Sequence, residues 1–317
     1  MLPSHASTAM AVNAARPVRA APGAHALRFV ALSAVLLITA CSSIRLGYNN
    51  ADTLLVYALD SYLDLDDRQS QLAKERLRNL MAWHRATQLS GYAQLVEDAQ
   101  RKVGANGTQV SADDILALQR DMNSRLVVFG EQAAPDLAQL LTTLTPAQID
   151  RFAGKLATDT SKARREMLKI AGRETPEDRV KRYAERAESW LGSVSRAQFD
   201  LLRASLADRP DGGAQWMAER ERRQNNLVAL MRRALDERAA VDRVAGWLRE
   251  YFADMADPAD AAQRAAVHAW RRANAELMAQ LVNSASADQR AALNRKLRGY
   301  AQDFSSLAAE AVTSGRS

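Results

Sequence analysis

Cysteine is almost missing from this chain: Cys41 is the only one in 317 residues. No internal disulfide can form, and no cysteine cluster can hold a metal. Histidine is nearly as scarce at four residues, and two of them, His5 and His25, precede Cys41. With 14 glycines and 8 prolines, the chain offers no Gly-rich phosphate loop, and it carries neither a nucleophile elbow nor a zinc signature. An enzyme is therefore not expected. No apolar run approaches the roughly 20 residues that cross a bilayer. Strand-like alternation is absent as well, and aromatic residues make up only 6%. Charge of one sign is also lacking. Lys and Arg number 43 against 37 Asp and Glu, and residues 1–40 hold three arginines and no acid, so the net charge falls from +6 to +3 without them. The doublets Arg164-Arg165, Arg222-Arg223, Arg232-Arg233 and Arg271-Arg272 are interleaved with acids on helical faces, which gives no nucleic-acid footprint.

What the first 41 residues do contain is an address. Arg16, Arg19 and Arg28 precede an apolar stretch, Phe29 to Ile38, of the size of a secretory h-region. Ile38-Thr39-Ala40-Cys41 then resembles the bacterial lipobox. That resemblance implies cleavage before Cys41 and covalent lipid on its thiol, leaving a membrane anchor and no other cofactor. Each buried methylene adds about 0.8 kcal/mol, so two or three chains hold where one does not. Ser42 after the cysteine resembles the sorting pattern for the outer membrane, periplasmic face. Met10 is an alternative start to Met1.

The remainder reads as all-α, rich in Ala, Leu, Arg, Gln and Glu. The expected division is a signal peptide at 1–40, a lipidated tether at 41–50, one helical domain at 51–312 and a frayed tail at 313–317. Ala51 to Asp60 is apolar on most of its circumference and is read as the first core helix. Capping signatures recur at Asp66 to Gln69, Ser111 to Asp114, Thr145 to Gln148, Ser195 to Gln198 and Ser286 to Gln289. Thr175-Pro176 and Asp257-Pro258 open helices by the same logic. Ile149, Phe152, Leu156, Ala163, Met167 and Ile170 form a helical stripe. A second stripe, Leu227 to Met255, is interrupted only by Arg238. The run from Ala214 to Ala256 is either one long helix or breaks softly near Gly246. Gly104 to Gly107, Gly172 to Thr175 and Arg209 to Gly213 read as loops. Uneven cap spacing argues against a solenoid and for an irregular bundle of about eight to ten helices, some long and antiparallel.

Chemistry-bearing candidates are few. Trp83-His84-Arg85 and His268, with Trp270 and Arg271 behind it, form two similar neighbourhoods. Neither histidine has a carboxylate at helical spacing to complete a metal or acid–base site. Asp60, Asp64 and Asp67 would share one helical face, where paired carboxylates could perform acid–base work or hold a cation; a solvated helix end, with Asp66 capping, is the preferred explanation.

Arg45-Leu46-Gly47-Tyr48-Asn49-Asn50-Ala51-Asp52, Tyr62-Leu63-Asp64-Leu65 with Gln69, and Trp83-His84-Arg85 resemble, in that order behind the lipobox, an uncharacterised family of proteobacterial lipoproteins. That resemblance implies a helical lipoprotein and no known activity. Leu144-Thr145-Pro146-Ala147-Gln148 is similar to the Leu-Thr-x-x-Gln pattern of small Spy-type periplasmic chaperones. The expected function is a non-enzymatic envelope binding or scaffold module with a membrane and a protein partner. A tethered chaperone, which an exposed Arg-rimmed apolar groove would favour, is the alternative. A metal or acid–base site at His84 and His268 is a third.

Overall fold

The computed structural model describes residues 44–104, 109–207, 209 and 212–314; the export segment, Cys41 and most of the Gly104 to Gly107 loop lie outside them. The described chain from Ile44 onward belongs to one compact unit. After a short helix at 44–49 come α1 (Ala51–Leu63), α2 (Asp67–Thr87), α3 (Leu89–Gly104), α4 (Ala112–Leu141), α5 (Pro146–Ala171) and α6 (Pro176–Leu191). They are followed by α7 (Arg196–Leu206), α8 (Gly212–Asp236), α9 (Val241–Ala256), α10 (Ala261–Asn283) and α11 (Ala287–Ser314). No strand occurs among the described residues. The fold is an all-α multi-helix bundle, with slightly more helices than the eight to ten expected.

α4 is the centre. Its 30 residues make it about 45 Å long, and α9, α10, α2 and α3 all pack on it. Small residues admit them. Ala133, Ala134 and Ala138 are fully buried, and a Cβ at Gly130 would lie 2.4 Å from the Phe252 ring of α9. Around this spine α11 lies along α3 and reaches α2 and α6, α5 pairs with α8 and α1, and α6 pairs with α7. Leucines such as Leu202 and Leu307, fully buried, contribute roughly 1.5–3 kcal/mol each relative to exposure.

All five recurring caps form. Asp66, Ser111 and Ser195 close reciprocal capping boxes with Gln69, Asp114 and Gln198, and Thr145 and Ser286 do so with Gln148 and Gln289. Four of the glutamines also bond each other in pairs. The Gln148 amide donates to Gln69 Oε1 at 2.6 Å and to the Asp64 carbonyl at 2.9 Å, while Gln69 donates to the Thr143 carbonyl at 2.9 Å. Gln198 and Gln289 exchange amide bonds of 3.1 and 2.9 Å, and Gln289 also reaches the Ser193 carbonyl. Each clasp joins the starts of two helices distant in sequence, so a buried cap is satisfied by the opposite cap.

Four expectations need correcting. α1 is not a buried core helix: Val56, Leu59 and Leu63 pack inward, whereas Leu54 is 57%, Leu55 42% and Tyr57 74% exposed. α2 and α5 give it most of its cover, so one apolar stripe is buried and the other is bare. The run from Ala214 to Ala256 breaks at Arg238 rather than at Gly246. Arg238 takes a left-handed φ of 45°, and Ala239 N–H bonds back to the Ala234 carbonyl at 3.0 Å, as at a helix C-terminus. α10 is capped by Asp260, which accepts from Gln263 N–H at 2.8 Å, instead of by Asp257. Residues 44–50, read as tether, are tied into the body, as the next section describes.

Candidate functional site

The Trp83-His84-Arg85 cluster sits near the C-terminus of α2 and fastens the first described residues to the bundle. Tyr48 Oη lies 2.7 Å from His84 Nδ1. Around the imidazole stand the rings of Tyr48, Tyr92, Phe129 and Trp83, with centroids 5.8, 5.6, 5.9 and 6.3 Å away. Burial pushes the Tyr48 hydroxyl up to about 12, an effect the Arg85 guanidinium partly offsets, and burial lowers His84 below its ordinary 6.5. At neutral pH a protonated tyrosine therefore shares this hydrogen bond with a neutral imidazole. Arg85 lies 5.1 Å over the Tyr48 ring centre and bonds Asn49 Oδ1 at 2.5 Å. It also meets Glu310 of α11 at 2.9 Å, and Glu310 binds Arg45 as well. The cage thus joins α2, α3, α4, α11 and residues 45–49. Chemically it is a fastening: the imidazole faces rings, and among the described residues its hydrogen-bond partner is a tyrosine.

The other expected residues stay apart. His268 sits on α10, half exposed, with Nε2 2.8 Å from Asp257 Oδ1, and none of the residues around His84 touches it. Asp60, Asp64 and Asp67 do not share a helical face, because the chain turns between them. Asp60 Oδ1 accepts the Leu65 N–H at 3.1 Å, Asp64 ends α1 in a left-handed conformation, and Asp67 begins α2. Among the described residues no group of three His, Cys, Asp or Glu is placed to hold a metal.

Sequence reasoning missed Tyr92, Phe129, Glu310 and Asp303, which come from distant helices. Asp303 of α11 is buried, and burial raises its carboxyl while Arg45 opposes the shift.

Among the described residues, an opening of about 800 Å³ between α5 and α8 is crossed by its own bonds: Thr160 donates to Gln224 Oε1 at 2.6 Å, and Arg164 pairs with Glu221. A smaller one of about 240 Å³ lies beside His268. Another, about 470 Å³, lies as a half-open cleft between α3, α4, α6, α10 and α11 and is almost wholly apolar, with Leu95, Val103, Ile115, Leu281 and Leu297 in its walls. Leu54, Leu55 and Tyr57 add the bare stripe on α1. No described helix is long and apolar enough to cross a membrane.

A family model described as a family of unknown function (DUF6279) matches residues 61–251, from the last turn of α1 into α9. No curated protein and no solved structure matches the chain.

Proposed function

Because the chain belongs to that family, no activity is inherited with the fold, and we propose that the protein is an outer-membrane lipoprotein, a non-enzymatic helical binding module held at the periplasmic face through lipid on Cys41. The single observation that carries this reading is the bare apolar stripe of α1. Leu54, Leu55 and Tyr57 lie within 16 residues of Cys41, and the compact unit begins at Ile44, three residues after it. Three residues span at most about 10 Å. An acyl anchor at Cys41 would hold that stripe against the bilayer surface, where leucine and tyrosine are at home.

The chaperone alternative called for an Arg-rimmed apolar groove. The apolar opening found is rimmed by Asp98, Asp114, Asp121 and Lys102, which favours a ligand pocket over a client groove. The acid–base alternative needed the two histidines together, and they are apart.

Palmitate labelling with membrane fractionation tests the anchor. Wild type takes the label and sediments with outer membrane, and Cys41→Ala does neither; a labelled Cys41→Ala protein overturns the reading. Leu54→Gln with Tyr57→Gln keeps the label and the fold but releases more readily from washed membranes. In-cell crosslinking of the labelled protein then identifies the envelope partner.

A further inference from the structure

We propose that the cavity between α3, α4, α6, α10 and α11 is a binding site for a single hydrocarbon chain bearing an uncharged or cationic head group. The inference does not depend on lipid at Cys41 and names a ligand for a separate site.

Packed helices usually close over their apolar faces, so a solvent-open cleft of about 470 Å³ with almost wholly apolar walls requires a cause. The cause is local. Ala99 of α3, Ala117 of α4 and Ala187 of α6 all face this space, where larger side chains would close it. The walls beyond them are finished core: Val103, Val110, Ile115, Leu191 and Leu293 are each less than 9% exposed. Water gains little there, because it needs two to four polar partners and these walls offer almost none. The volume falls within the 300–1,000 Å³ typical of small-molecule sites.

Its form is a slot. Along α3 the lining residues Leu95, Asp98, Ala99, Lys102 and Val103 follow one helical face over about 12 Å. A slender chain fits such a slot, and each methylene buried is worth about 0.8 kcal/mol. Trp190 and Met278, 41% and 49% exposed, stand at the mouth as an apolar lip.

Charge selects the head group. Lys102 is engaged by Asp114, whose carboxyl is held low by that ammonium and by the Ser111 bonds. Asp98 is paired with Arg101. Lys296 lies over the Trp190 ring and donates to the Ser189 carbonyl at 2.6 Å. Asp121 pairs with no cation among the described residues. An anionic head would therefore meet the Asp121 carboxylate while Lys102 and Lys296 are already engaged, whereas a cationic or uncharged head would not.

The test uses the full chain carrying Cys41→Ala, which removes any acyl group of its own. The uncharged dye N-phenyl-1-naphthylamine should bind with enhanced fluorescence. Dodecyltrimethylammonium and dodecyl maltoside, below their micelle concentrations, should displace it at least tenfold more effectively than dodecanoate. Ala117→Leu with Ala187→Leu should abolish dye binding while unfolding at the same or a higher urea concentration. Asp121→Lys, a change at an exposed position, should reverse the head-group preference, and Leu54→Gln with Tyr57→Gln should leave binding unchanged. Dye binding that survives the cavity-filling pair, or that vanishes with the α1 pair, overturns the site. Equal displacement by dodecanoate overturns the head-group assignment.

Discussion

His84 and Tyr48 show how burial alone sets a protonation state. Beside the tyrosine hydroxyl the histidine is held neutral, because burial lowers its folded-state pKa. Below 6.5 the unfolded chain takes up the proton first, so this contribution to stability is complete above pH 6.5 and is lost as the pH falls through the lowered folded value. Urea midpoints should decline over that window in wild type and be flatter in His84→Phe. Tyr48→Phe should cost about 1 kcal/mol at pH 7.5, the net worth of one hydrogen bond. At Gly130, alanine would drive a methyl into the Phe252 ring, and the resulting overpacking should cost about 1–3 kcal/mol by urea denaturation. The triplet Trp83-His84-Arg85 was legible as a local oddity. Its meaning was not, because Tyr48 lies 36 positions away and Glu310 lies 225 positions from Arg85. No periodicity carries that pairing.

Elements were the most readable level, since a helix start is written in four adjacent residues. Each of the five recurring caps closes where the spacing places it, and Thr175 does the same before Pro176. Breaks were harder to see. Gly246 suggested the flaw in the run from Ala214 to Ala256, yet it lies inside α9. The true signal was Arg238, the one polar intruder in an apolar stripe, sitting where the chain leaves α8. A non-glycine residue in the left-handed region costs about 1–2 kcal/mol. Arg238→Gly should therefore raise the thermal midpoint by relieving roughly 1 kcal/mol, and Arg238→Val should lower it. Gln198→Ala removes the reciprocal half of the Ser195 box and both bonds to the Gln289 amide, which keeps only its Ser193 and Ser286 partners. It should cost about 1–3 kcal/mol, more than Ser195→Gly, where glycine still serves as a cap.

At the scale of the molecule, the sequence pattern specified helices without specifying neighbours. α1 illustrates the gap. Its composition reads as core around most of its circumference, but burial depends on how many partners surround a helix, and α1 has cover on one side only. The alanines that let α4 serve as the spine and those that open the apolar slot are the same residue type in similar helical contexts, and only tertiary placement separates filling from void.

The two glutamine clasps carry a consequence for time as well as stability. Each helix start can form on its own within about a microsecond, but the amides that meet are 79 and 91 residues apart. Bringing such distant segments together has an entropic cost that delays contact. During refolding, far-UV circular dichroism should recover in an early phase, and the tryptophan signal should follow in a slower one. Gln198→Ala should then accelerate unfolding while leaving the early phase untouched. A chain caught before its clasps shut would have its helices and not yet its arrangement, with the faces meant for each other open to any other apolar surface nearby.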